Sequence, residues 1–146
     1  MLVRSFLELC KPKIVFLLTV TALVGMLLSI NFYSNIAAGL YSLLGFTFLA
    51  ASSASLNQIF DRETDKNMKR TRGRPLAKGN LTLTSALIFT STLMFLGSSL
   101  MLYYSNILTF LITTFGFVFY SLIYTIYLKW NLSLIHISEP TRPQCI

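Results

Sequence analysis

Two long stretches without a formal charge set the terms for this chain. No Asp, Glu, Lys or Arg occurs from Ile14 to Phe60, and none from Leu81 to Leu128. About 20 predominantly apolar residues span the hydrocarbon core of a bilayer, so each stretch is long enough for two crossings. A buried helix of a soluble protein needs far less. The composition agrees: 54% of the 146 residues are hydrophobic and 12% are charged, about half the ~25% charged fraction of a typical soluble domain. The pattern predicts an all-α, multi-pass transmembrane bundle of four helices, over about 12–30, 36–60, 83–102 and 107–128, with a charged loop over 61–81.

Local signals support these limits. Pro12 suits the first turn of a helix, where its missing N–H costs nothing. The apolar run after Arg4, Lys11 and Lys13 exceeds the ~7–15 residues of a signal-peptide core, and no small-x-small cleavage site follows it, so it reads as a retained membrane helix. Ala50 to Ser55 form a small-residue patch, which lets membrane helices approach closely. Gly79, Asn80 and Thr82 mark a turn and a helix start. Asn31 to Asn35 and Tyr103 to Asn106 read as uncharged turns at the opposite interface.

The net charge of +7 is not the footprint of a nucleic-acid binder, because the basic residues flank the apolar runs. Arg4, Lys11 and Lys13 precede the first helix, seven Lys and Arg residues lie between Arg62 and Lys78, and Lys129 follows the fourth helix. Even crossings put all of them on one side, which the positive-inside rule makes cytoplasmic, or the matrix side in a mitochondrion. Cys10 and Cys145 have neither disulfide-framework nor metal spacing. Residues 131–146 break the pattern and read as an atypical, artefactual tail after a 1–130 domain. His136 within them reads as a bystander.

The chemistry concentrates in Asn57, Asp61 and Asp65. On a helix each step of four residues advances about 40° beyond a full turn, so the three form one stripe. They stand at the C-terminal end of a helix, where its partial negative charge disfavours carboxylates, and near a membrane, where charge is costly. A hard cation with oxygen ligands offsets both, and Mg²⁺ characteristically binds one or two carboxylates plus substrate phosphates. The nearby Arg70, Arg74 and Lys78 can neutralise phosphate oxygens, the arginines in bidentate fashion. Taken singly, each feature has a plainer reading. The two Asp residues can pair with Arg62, Lys66 or Lys69, the basic run can be a positive-inside anchor, and Asn57 can be a packing residue.

Taken together, these residues resemble the UbiA superfamily of intramembrane prenyltransferases. The first Asp-rich motif of that family, Asn-x-x-x-Asp-x-x-x-Asp, matches Asn57, Asp61 and Asp65. Its following Arg-Thr-x-x-Arg-Pro-Leu matches Arg70, Thr71, Arg74, Pro75 and Leu76. The Lys11-Pro12-Lys13-Ile14 opening, Gly25 and Met68 are similar to the haem-farnesylating branch, and the likeness covers roughly residues 8 to 130.

The resemblance implies Mg²⁺ held by Asp61 and Asp65 with help from Asn57. It implies farnesyl diphosphate bound through Arg70, Arg74 and Lys78, and haem b as the acceptor that becomes haem O. It implies residence in a bacterial or mitochondrial inner membrane. The family also carries further helices and a second Asp-rich motif, whereas no Asp follows Asp65 here. This chain therefore matches about half of such a bundle, and the expectation is that it is inactive alone. Two alternatives stand beside this reading: prenylation of an aromatic acid or quinone precursor, and a non-enzymatic membrane protein.

Overall fold

A computed structural model describes residues 2–29, 35–67, 71, 73–79 and 81–121. Among these residues six helices follow one another: α1 (Leu2–Leu9), α2 (Pro12–Leu27), α3 (Ile36–Phe60), α4 (Arg62–Asn67), α5 (Leu83–Tyr104) and α6 (Ile107–Val118). α6 continues as a π-helical turn through residue 121. The sequence pattern did not assign α1, and it read the residues of α4 as loop. Both are short and charged, so no apolar run marks them. The last seven residues of the fourth expected helix, 122–128, and the tail 131–146 lie outside the described residues.

Each long helix begins where local chemistry permits. Pro12 opens α2 after Lys11, whose backbone is left-handed at φ 50° and turns the chain out of α1. Asn35 caps α3 by accepting the Ala38 N–H at 3.1 Å, and Thr82 caps α5 by accepting the Ser85 N–H at 3.2 Å. Gly79, at φ +77°, makes the turn before α5 that a residue with a Cβ would strain to adopt. Tyr103 and Tyr104, expected in a turn, instead complete α5. Tyr104 stacks on Tyr41 at a centroid separation of 4.7 Å, and the extended backbone of Ser105 ends the helix.

α3 is the central helix. It packs most extensively on α5 and also touches α1, α2, α4 and α6. The crossing with α5 is closest at Gly45 and Gly97. A Cβ on Gly97 would lie 2.9 Å from the Gly45 carbonyl oxygen, the Leu49 backbone nitrogen and Leu49 Cγ. The small-residue patch lies beside it. Ala51, Ser52, Ser53, Ala54 and Ser55 are all buried, against Val15 of α2 and Leu93 of α5 among others. Ser52 donates to the Thr90 carbonyl at 3.1 Å, and the Ser53 and Ser121 hydroxyls lie 3.0 Å apart. Small residues bring these backbones together, and hydroxyls satisfy one another across the seams.

The distribution of polarity is the reverse of a soluble protein's. Among the described residues, serines, threonines, two amides and two aspartates make up about half of the buried positions. Large apolar side chains point outward, with Phe16 71%, Phe95 72% and Phe115 68% exposed. Patches of that extent need an apolar environment. Two described helices, Ile36–Phe60 and Leu83–Tyr104, are long and apolar enough to cross a membrane, while Pro12–Leu27 and Ile107–Ser121 are apolar but shorter. At 1.5 Å per residue the 16 residues of α2 reach about 24 Å, less than the ~30 Å hydrocarbon thickness.

The two ends of the bundle differ. Leu9 of α1, Leu76, Leu81 and Ala86 share one buried cluster, with Phe6, Ile59 and Phe89 packed on it. The start of α2, the end of α3 and the start of α5 therefore meet at one end, with all the described charges. At the opposite end a cavity of about 580 Å³ lies between α2, α3, α5 and α6, lined by Met26, Asn35, Ser42, Tyr104 and Thr109 among others. Among the described residues no charged side chain lines it.

Candidate functional site

The acidic stripe keeps helical geometry across a break in the helix. α3 ends at Phe60, and Asp61 stands between α3 and α4 with helical angles of φ −78° and ψ −4°. Its N–H bonds to the Asn57 carbonyl at 3.0 Å, and the Asp65 N–H bonds to the Asp61 carbonyl at 2.8 Å. The i to i+4 ladder thus runs unbroken through Asn57, Asp61 and Asp65, and all three are buried. Asn57 donates to the Tyr120 hydroxyl of α6 at 3.2 Å.

Two buried carboxylates need compensation. Asp65 receives it from Arg74, whose Nη1 lies 2.5 Å from Oδ2. Thr71 steadies the approach by donating to the Asp65 backbone carbonyl at 3.3 Å, and the Arg74 N–H bonds back to the Thr71 carbonyl at 3.0 Å. A tight turn therefore folds the basic segment onto the end of the stripe. Arg62 instead pairs with its neighbour Glu63 at 2.7 Å, on the surface.

The other expected residues are placed differently. Lys78 is exposed and lines a depression with Arg62, Leu76 and Leu83, apart from the one that Arg74 lines. Arg74 and Lys78 thus line separate depressions, although the Lys78 N–H bonds to the Arg74 carbonyl at 2.9 Å. Arg70 lies outside the described residues. Three residues without a site role in the sequence reading take part: Thr71, named there only as part of the motif, through Asp65, Tyr120 through Asn57, and Gln58 through α1. Of these only Thr71 had a signal, as part of the Arg-Thr pair.

Among the described residues no three His, Cys, Asp or Glu side chains gather as a metal cluster. Two carboxylates and an amide do not make an all-protein cage. They are oxygen donors of the kind that a hard divalent cation takes when other ligands come from outside the protein. Beside the site, burial pushes the Cys10 thiol up from its ordinary range, partly opposed by its contact with the Ser55 hydroxyl at 3.6 Å.

An acidic stripe at the end of a buried, small-residue helix, with an arginine folded onto it, defines a polar site at the surface of a membrane bundle. The UbiA prenyltransferase family model matches residues 18–136, most of the chain. The chain belongs to the UbiA prenyltransferase family, and it is an all-α integral-membrane protein. It is 41% identical over 126 residues to the protoheme IX farnesyltransferase of Shewanella oneidensis, covering 86% of this chain and 42% of that protein. It is 40% identical to that of Photobacterium profundum, covering 86% of this chain and 40% of the relative. It is 42% identical to that of Thioalkalivibrio sulfidiphilus, covering 86% and 42%. The chain thus spans about two fifths of the length of these curated relatives. No solved structure matches it.

Proposed function

We propose that this chain takes part in Mg²⁺-dependent transfer of a farnesyl group from farnesyl diphosphate to a vinyl group of haem b, giving haem O. The observation that carries the reading is the burial of Asp61 and Asp65 on one face with Asn57, closed at one end by Arg74. The names of the curated relatives, protoheme IX farnesyltransferase, support haem as the acceptor and farnesyl as the transferred group.

Asp61 and Asp65, with Asn57 beside them, would hold Mg²⁺, which when bound neutralises diphosphate oxygens and makes diphosphate a better leaving group. A guanidinium has five N–H donors. With one nitrogen of Arg74 on Asp65, the others would serve phosphate oxygens, joined by Arg70. In the reaction the allylic C–O bond breaks and its electron pair leaves with diphosphate. The vinyl group of haem b then supplies the electrons for the new C–C bond. Water adds to the remaining carbocation, losing a proton, and leaves a hydroxyethylfarnesyl group. The chain's part is to fix the diphosphate and to stabilise the departing charge. By the positive-inside rule the site faces the cytoplasm of a bacterium or the mitochondrial matrix.

The test measures Mg²⁺-dependent binding of farnesyl diphosphate by the purified chain, which alone is expected to be inactive, and then offers haem b or 4-hydroxybenzoate to the chain fused to the remaining length of a curated relative. Mg²⁺-dependent binding with a farnesylated haem product supports the reading. A prenylated 4-hydroxybenzoate would move the acceptor to an aromatic acid. Absence of Mg²⁺-dependent binding would favour a non-enzymatic membrane protein.

A further inference from the structure

Gln58 is an uncharged amide wholly inside the protein end of a membrane bundle, 3% exposed, between Asn57 and Asp61. Its Nε2 donates to the Glu8 carbonyl at 3.1 Å and to the Leu9 carbonyl at 3.2 Å. The opposite amide orientation would set Oε1 against two carbonyl oxygens, so the donor role is fixed. Those carbonyls belong to the last residues of α1, where helical C=O groups lack partners within the helix. Both amide hydrogens are therefore spent on capping α1, while Oε1 is buried with no hydrogen-bond partner among the described residues. A buried amide with one half unsatisfied is costly, and the cost is incurred at the helix that carries the acidic stripe.

α1 in turn supports the basic segment. Leu9 is fully buried in the cluster with Leu76 and Leu81, on the segment that carries Arg74. Phe6 packs on the same cluster and meets Phe89 of α5 at 4.8 Å between centroids. We infer that Gln58 is a positioning residue: it fastens α1 to α3, and α1 braces the 71–81 segment so that Arg74 is held against Asp65. The inference deepens the proposed diphosphate site and rests on it for its functional part.

The test uses the full chain with Cys145→Ser, leaving Cys10 as the single thiol next to the clamp. Gln58→Met keeps length and apolar packing but removes both donors; Gln58→Glu keeps shape and replaces the donor with a carboxylate. In both, maleimide labelling of Cys10 rises about tenfold. Amide hydrogen exchange over residues 71–79 accelerates, and Mg²⁺-dependent binding of inorganic diphosphate weakens about tenfold. Unchanged Cys10 labelling and unchanged exchange in both variants overturn the clamp. Faster labelling and exchange with unaltered diphosphate affinity overturn the positioning role. If the unsubstituted chain binds no diphosphate, the proposed function fails, and labelling and exchange still decide the clamp.

Discussion

Arg74 reaches back nine residues to place Nη1 2.5 Å from Oδ2 of Asp65, a carboxylate 6% exposed, while its own side chain stays 27% exposed. The pair joins the acidic stripe to the basic segment. It is partly solvated on the arginine side, which leaves Arg74 donors free for an incoming anion while one nitrogen stays on Asp65. Removing the arginine strands a buried charge, and removing both partners does not. Arg74→Leu is therefore expected to destabilise the chain by about 2–4 kcal/mol, and Asp65→Asn with Arg74→Leu by less than the sum of the single changes. A double-mutant cycle on thermal unfolding in detergent checks the coupling.

At the α3–α5 crossing, Gly97→Ala places a methyl 2.9 Å from the backbone of α3, which cannot yield as a side chain would. The expected loss is about 2–3 kcal/mol, the upper range for overpacking. Gly25→Ala and Gly116→Ala have nothing within 4 Å of the new methyl, so they should be neutral or stabilising by up to ~1 kcal/mol. Melting temperatures of the three variants decide the matter.

Only the thiolate of Cys10 reacts with alkylating agents, and burial disfavours that form. The pH at which labelling of folded Cys10 becomes half-maximal should lie above that of a free thiol. Ser55 opposes the shift, so Ser55→Ala should move the midpoint further up. A labelling-rate profile against pH, compared with the unfolded chain, reads both displacements. A midpoint at or below the unfolded value contradicts the burial of Cys10.

Much of this organisation was legible before any coordinates. The charge-free stretches announce membrane helices because a single charge in the hydrocarbon is so costly. The spacing of Asn57, Asp61 and Asp65 announces one face because helical periodicity is rigid. What escaped is local or long-range. α1 carries Arg4 and Glu8, paired at 3.0 Å, and is too short for a membrane signal. α4 is made of charged and polar residues alone. The attachment of Arg74 to Asp65 depends on a turn through Thr71. The grip of Gln58 on α1 joins residues about fifty positions apart, and no local periodicity records either. The basic segment was read as a group of cations, but its described members part company: Arg74 joins the stripe and Lys78 stays at the surface.

Tyr120 ties α6 to the stripe by accepting from Asn57 at 3.2 Å. Tyr120→Phe removes that acceptor, at an expected cost of about 0.5–1.5 kcal/mol. It frees the Asn57 side chain to turn toward a cation, so Mg²⁺-dependent affinity should be retained. Asn57→Leu should weaken it. Comparing the two variants separates a packing role for Asn57 from a ligating one.

The central claim is that the stripe holds a divalent cation for a diphosphate. Calorimetric titration of inorganic diphosphate into the purified chain, with and without Mg²⁺, tests it most directly when repeated on Asp61→Asn and Asp65→Asn. The account predicts Mg²⁺-dependent binding by the unsubstituted chain and a loss of at least tenfold in affinity in each variant, both remaining helical. Equal Mg²⁺-dependent affinity in all three proteins would contradict it.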